Sequence, residues 1–91
     1  MNKSYKLTIS GKVQGVGYRR WFQRQALQLQ VQGWVRNLAT GEVEALVISD
    51  TETLGLMIER AYQGPPLAQV SEVIWIEVES ITSANDFQIL K

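Results

Sequence analysis

The sequence predicts an α+β fold in which one antiparallel sheet carries two helices on the same face. Its 91 residues are the size of a single domain, residues 1–91. Strand-like and helix-like segments follow one another in the order β-α-β-β-α-β, with a short strand at the end. This order predicts a split βαβ sandwich, because right-handed crossovers place both helices on one side of the sheet.

The first half of the chain contains a strand, a helix and a hairpin. Residues 6–13 alternate apolar and polar side chains, which is typical of a half-buried strand. Residues 19–29 contain no glycine or proline, and their apolar positions recur with helical spacing. Residues 31–38 and 43–49 are predicted strands joined by a turn at Gly41, so they form a hairpin.

The second half adds a helix and two strands. Asp50 is a suitable helix cap, and the apolar residues that follow it lie on one helical face. The segment Gly64-Pro65-Pro66 ends this helix. Residues 70–78 are predicted to form a long strand, and residues 87–90 a short final one.

The amino-acid composition excludes several kinds of chemistry. The chain has no cysteine, which removes disulfides, thiolate nucleophiles and zinc–thiolate sites. It has no histidine, which removes an imidazole base and the commonest transition-metal ligand. No apolar run approaches the length of a membrane-spanning helix or a signal peptide, so we expect a cytoplasmic protein.

The net charge of zero hides an uneven distribution. Residues 1–41 carry seven basic residues and no acid, whereas residues 42–91 carry all nine acids and two basic residues. The basic residues of the first part are Lys3, Lys6, Lys12, Arg19, Arg20, Arg24 and Arg36. Either the two halves interleave and attract each other in the fold, or the first half builds a local cationic site.

The loop between the first strand and the first helix favours the second interpretation. It contains Gly15 and Gly17 but fits neither a Walker loop nor a dinucleotide-binding fingerprint. No Ser, Thr, Asp or Asn is available to cap the helix, and Arg19 and Arg20 oppose its dipole. A bound anion would supply what this helix start lacks. The alternative is a tight surface turn with both arginines in solvent, and the spacing does not say which arginine points inward.

Two motifs closely resemble those of the acylphosphatases. They are Gly11-Lys-Val-Gln-Gly-Val-Gly-Tyr-Arg19 and Gly33-Trp-Val-Arg-Asn37, and the similarity runs nearly from end to end. The resemblance implies a ferredoxin-like βαββαβ sandwich, in agreement with the pattern of elements. It also implies metal-independent hydrolysis of the carboxyl–phosphate bond of acyl phosphates.

The resemblance also assigns site residues. Arg19 matches the catalytic arginine that binds phosphate, and Asn37 matches the asparagine that positions the attacking water. The phosphate cradle corresponds to the backbone of Gly15, Val16, Gly17, Tyr18 and Arg19. Leu38 and Ser49 depart from residues that are common in the family, a Thr and a Gly respectively.

The resemblance further implies which ligands to expect. We expect a small acyl phosphate as substrate, with inorganic phosphate as product and competitive inhibitor. No cofactor, metal, nucleic acid or membrane is expected, and the chain is expected to be a monomer. Glu42 and Glu44 alternate along one strand, and we expect a solvated strand face there rather than a metal site.

Three other functions are compatible with parts of the sequence. An RNA-binding module has the same order of elements, but it needs aromatic residues on its central strands, and the strand at 43–49 has none. A non-catalytic anion sensor would use the same loop. The third is the acylphosphatase-like portion of a larger carbamoyl-transfer enzyme, which we do not expect at this chain length.

Overall fold

A computed structural model describes residues 2–79 and 86–90, and these residues form five strands and two helices. Neither helix is long and apolar enough to cross a membrane. The elements, in chain order, are β1 (Lys3–Lys12), α1 (Tyr18–Gln28), β2 (Gln32–Asn37), β3 (Val43–Ser49), α2 (Thr51–Gln63), β4 (Gln69–Val78) and β5 (Phe87–Ile89).

The five strands make one sheet in the order β4-β1-β3-β2-β5. The first four strands pair antiparallel, as predicted, and the α+β sandwich is confirmed. The expectation of a wholly antiparallel sheet is wrong at one edge, because β5 runs parallel to β2. β4 and β5 lie at opposite edges of the sheet, so they do not form a hairpin, and β5 pairs with β2 instead. No hairpin therefore requires β5 to run antiparallel to its neighbour.

The core lies between the sheet and the two helices. Alternate residues in the middle of β1 are buried there, namely Tyr5, Leu7 and Ile9. Helix α1 contributes Phe22 and Ala26, as its helical spacing predicts. The buried residues of α2 are Leu54, Met57 and Ala61. The periodicity of both helices therefore identified the face that packs on the sheet.

The open face of the sheet holds a charge cluster that the sequence pattern misjudged. Glu44 is only 8% exposed, so the expected solvated strand face is wrong for this residue. Arg36 on β2 lies directly opposite Glu44 and donates from Nε to Oε1 at 2.8 Å. Lys6 on β1 lies 3.9 Å from the other carboxylate oxygen. Glu44 is thus neutralised by cations from both neighbouring strands, which is how a carboxylate is accommodated in a buried position.

The same cluster accounts for part of the charge asymmetry. Lys6 and Arg36 come from the basic half of the chain and Glu44 from the acidic half, so these charges interleave in the sheet. Lys3 similarly lies 3.7 Å from Glu77 across the β1–β4 pair. The arginines at the start of α1 form no ion pair within the part of the chain described, and they occupy a different region.

Candidate active site

A cleft of about 410 Å³ opens where the β1–α1 loop meets the end of β2 and the last strand. Its lining residues are Val13, Gln14, Gly15, Gly17, Tyr18, Arg19, Arg20, Asn37 and Ile89. The only charged side chains among them are two arginines. The cleft is therefore a cationic concavity large enough for a small phosphorylated molecule.

The loop backbone is shaped by two glycines in the left-handed region. Gly15 has φ 74° and Gly17 has φ 77°. A Cβ atom at either position would meet no other atom within 4 Å. The glycines are thus required by backbone conformation and not by lack of space, since other L-residues adopt this region only at a cost. Backbone turns of this kind can form concave groups of N–H donors that bind anions.

Helix α1 starts without a side-chain cap. Its N-cap residue is Gly17, no acidic residue lies in the first turn, and the first intrahelical bond runs from Trp21 N to Gly17 O at 3.1 Å. Within the described part of the chain, the N–H groups of residues 15–20 donate to no protein acceptor. A helix start without a cap, whose N–H groups have no acceptor among the described residues, is favourable for an anion, and the anion site stays a prediction.

Two residues of the predicted cradle pack their side chains into the protein. Tyr18 is 2% exposed, and its hydroxyl donates to Ala61 O at 2.6 Å. Burial raises the pKa of Tyr18 above its usual value, so the phenol stays neutral. Val16 is half-buried and packs against the core. Tyr18 and Val16 can therefore serve an anion only through their backbone.

The two arginines at the cleft differ in how they are held. Arg19 is half-buried, and its Nη1 donates to Leu90 O at 3.2 Å, which ties the guanidinium to the segment after β5. Arg20 is exposed and also borders the cleft. The spacing in the sequence did not show which of the two arginines points inward. In the structure, Arg19 is the one whose guanidinium has a defined orientation.

Asn37 is the last residue of β2 and lines the same cleft. Its backbone pairs with Val43 at the neck of the β2–β3 hairpin. Its Oδ1 atom is buried and accepts no hydrogen bond from the described residues. A buried acceptor without a donor costs about 1–3 kcal/mol.

The two departures from common family residues have defined surroundings. Leu38 follows Asn37, and its backbone closes the hairpin by donating to Glu42 O at 2.8 Å. Ser49 is buried at the end of β3, and its hydroxyl donates to Asp50 O at 2.9 Å. Neither side chain lines the cleft.

The structure brings most of the predicted site residues together. Gly15, Gly17, Tyr18, Arg19 and Asn37 all border one cleft, whereas Val16 belongs to the loop but does not line it. Their chemical roles remain predictions.

Sequence reasoning missed other lining residues, namely Val13, Gln14 and Ile89. Gln14 lies inside the family motif Gly11–Arg19, and that position was the signal that could have identified it as a site residue. Ile89 arrives from β5, and nothing local in the sequence places it beside a loop more than seventy residues earlier.

The fold and the cleft define a ferredoxin-like domain with an arginine-lined cleft at the start of its first helix. The acylphosphatase family model matches residues 5–89. An acylphosphatase of Thermococcus kodakarensis is 51% identical over 77 residues, covering 82% of this chain and 85% of that protein. One of Rhizobium etli is 43% identical and covers 97% of this chain and 94% of that protein. The chain belongs to the acylphosphatase family.

Solved structures agree with this assignment. The crystal structure of acylphosphatase from Bacillus subtilis superposes with a TM-score of 0.92 at 31% identity, and all of both chains is covered.

Proposed function

We propose that this chain hydrolyses acyl phosphates to a carboxylate and inorganic phosphate by attack of water on phosphorus, without a metal ion. Its enzyme class, acylphosphatase, follows from its family. The observation that carries the mechanism is that the loop at residues 15–20, whose N–H groups have no acceptor among the described residues, borders one cleft together with Asn37.

The substrate makes few demands on the protein. An acyl phosphate is a mixed anhydride whose leaving group is a carboxylate, with a conjugate acid of pKa ~4. Such a group departs without a general acid, so a site without histidine or cysteine is sufficient. The reaction consumes one water: RCO–OPO₃²⁻ and H₂O give RCOO⁻ and H₂PO₄⁻. The P–O bond to the acyl oxygen breaks, and a new P–O bond to water forms.

The cradle and Arg19 are proposed to hold the phosphoryl group. Phosphoryl transfer has a loose transition state in which charge is spread over three equatorial oxygens, so catalysis is mainly positioning and electrostatics. Backbone N–H groups of the Gly15–Arg19 loop donate to these oxygens. The Arg19 guanidinium, oriented by Leu90 O, donates a forked pair of hydrogen bonds.

Asn37 is proposed to position the attacking water. A carboxamide is not a strong base, but it can fix a water by hydrogen bonding, and Asn37 lines the cleft where that water would lie. The proton of the water then passes to an oxygen of the substrate phosphate. Asn37 and the cradle thus place the nucleophile and the phosphorus in line.

Variants at the two side chains test this assignment with benzoyl phosphate in the presence of a chelator. Because Asn37 is proposed to act on the water, Asn37→Ala lowers kcat and leaves the binding of inorganic phosphate nearly unchanged. Arg19→Ala weakens both turnover and phosphate binding. Full activity in Asn37→Ala would contradict the role of this residue.

A non-catalytic phosphate sensor remains the second candidate, because its anion site would use the same free N–H groups. Binding of phosphate by the wild-type chain with no turnover of benzoyl phosphate would favour it. We further propose that the enzyme acts as a monomer in the cytoplasm and that product phosphate competes for the cradle. Sedimentation tests the monomer, fractionation of cells tests the location, and inhibition kinetics test the competition by phosphate.

A further inference from the structure

We propose that Gln14 is a positioning residue that fixes the cradle relative to Asn37. The proposal rests on the function proposed above, in which the cradle holds the phosphate and Asn37 holds the water. Gln14 directly precedes Gly15, the first cradle residue, and it contacts the hairpin that carries Asn37. It therefore connects the two halves of the site, because its backbone continues into the cradle and its side chain is bonded to the hairpin.

The contact consists of two hydrogen bonds from one carboxamide. Nε2 of Gln14 donates to Leu38 O at 2.8 Å and to Glu42 O at 2.9 Å. A carboxamide nitrogen carries two protons, so both are engaged by the hairpin. Gln14 is half-buried and borders the cleft, which favours a fixed orientation over a solvent-averaged one.

The two acceptors sit at the neck of the β2–β3 hairpin. Leu38 is the residue after Asn37, and its N–H donates to Glu42 O at 2.8 Å. The carboxylate of Glu42 also accepts from Ser10 Oγ at 2.9 Å. Gln14 thus binds the part of the hairpin whose geometry determines where the Asn37 side chain lies.

The described backbone pairing does not extend far enough to fix the cradle relative to the hairpin. The pairing between β1 and β3 ends at Ile9 and Val43, so the chain from Ser10 to the cradle is not in register with the hairpin. Beyond that point, the described hydrogen bonds between the β1–α1 segment and the hairpin come from the side chains of Ser10 and Gln14. Gln14 is the one adjacent to the cradle.

Loss of this connection should affect turnover more than binding. Reaction requires the water and phosphorus about 3–3.5 Å apart and aligned, and a displacement of about 1 Å lowers the rate by about 100-fold. Phosphate binding needs only the cradle and Arg19. Gln14→Leu, which keeps the size but removes both donors, should therefore lower kcat by about 10- to 100-fold. The inhibition constant of inorganic phosphate should change by less than about twofold, because Gln14 is not proposed to contact the phosphate and a weak interaction has an effect of about this size.

A matched control variant is available in α1. Gln23 also donates from Nε2 to a backbone carbonyl, that of Phe87, at 2.8 Å, and it does not line the cleft. Gln23→Leu should lower thermal stability by an amount similar to Gln14→Leu and keep the wild-type kcat. If both variants lose kcat in proportion to their stability, Gln14 has a structural role only and the proposal is wrong.

A double-mutant cycle with Asn37→Ala distinguishes positioning from an independent effect. If Gln14 acts through Asn37, Gln14→Leu causes little further loss of kcat in the Asn37→Ala background. Fully additive losses would overturn the proposal. Gln14→Ala removes the same donors with a different packing change, so it should show the same split between kcat and phosphate binding even if the leucine variant folds poorly.

The outcomes also separate this proposal from the proposed function. If Arg19→Ala and Asn37→Ala lose activity while both Gln14 variants keep the wild-type kcat, only the positioning role is wrong. If Asn37→Ala keeps full activity, the proposed function loses its water-positioning residue, and the role of Gln14 is overturned with it.

Discussion

Tyr18 joins the proposed cradle to the protein core, and Tyr18→Phe measures how much its hydroxyl group stabilises the fold. Its hydroxyl donates to the carbonyl of Ala61, a residue with no exposed surface. In a regular helix this carbonyl would accept from the residue four positions later, but that residue is Pro65, which has no N–H. The phenol therefore supplies the donor that the end of α2 lacks.

The magnitude follows from what the substitution leaves behind. Phenylalanine keeps the ring contacts with Trp21 and Phe22, which lie at centroid distances of 5.7 and 6.1 Å. What is lost is one buried hydrogen bond, and the Ala61 carbonyl remains without a donor, at a cost of about 2 kcal/mol. For a domain of this size, such a loss lowers the melting temperature by roughly 8–16 °C. Catalysis should persist, because the backbone of the cradle is unchanged.

The stability difference should also disappear at high pH. Burial raises the pKa of Tyr18, so above pH ~10 the unfolded chain has released the phenolic proton while the folded chain retains it. Folding stability of the wild type then falls by about 1.4 kcal/mol per pH unit, a dependence that Tyr18→Phe lacks. The two proteins should be equally stable near pH ~11.5. The other tyrosines are present in both proteins, so their contributions cancel.

Urea unfolding followed by tryptophan fluorescence at pH 7, 10 and 11.5 measures both effects. Equal stability of the two proteins at pH 7 would refute the argument about the Ala61 carbonyl. A difference in unfolding free energy between the two proteins that stays constant up to pH 11.5 would refute the argument about the buried phenol.

Three further substitutions probe the helix starts and the cleft. Asp50 accepts a backbone N–H at the start of α2, which lowers the pKa of this carboxyl, so Asp50→Ala should lower the melting temperature at pH 7. This loss should begin to shrink as pH falls through ~4, where the unfolded carboxylate protonates, and should reach its minimum only below the lowered pKa of the folded state, whereas Asp50→Asn should show no such pH dependence. Arg20→Ala should raise KM about two- to fivefold at low salt and less at high salt, whereas Arg24→Ala, away from the cleft, should not. Gly17→Ala should lower stability by about 1–2 kcal/mol because of its positive φ and weaken phosphate binding. Gly55→Ala, inside α2, should instead raise stability by about 0.5–1 kcal/mol. Calorimetry and phosphate titration measure these changes.

Local patterns were sufficient for most of the fold. The bounds of β3 match the prediction at both ends, because a turn precedes the strand and the Asp50 cap follows it. Strand β1 begins three residues earlier than predicted, at Lys3, because the alternation continues through Tyr5. The parallel pairing of β5 had no local signal, since it depends on which sheet edge is free after β4 has paired with β1.

The candidate site could be predicted from the sequence where its residues follow one another along the chain. The cradle and the uncapped start of α1 lie on one segment, so spacing and the absence of a cap indicated an anion site. Asn37 entered only through the family motif, because an asparagine before a turn is usually structural. The bonds from Arg19 to Leu90 and from Gln14 to the hairpin link distant segments, and no local pattern reports such pairs.

The position of water attack is the central claim, and isotope labelling measures it directly. Hydrolysis of benzoyl phosphate by the wild-type enzyme in H₂¹⁸O, with chelator present, should place ¹⁸O in inorganic phosphate and none in benzoate. That result is expected from the proposed mechanism, in which the cradle and Arg19 hold the phosphoryl group and Asn37 positions the water. Label in benzoate would show attack at the carbonyl carbon and would contradict the mechanism.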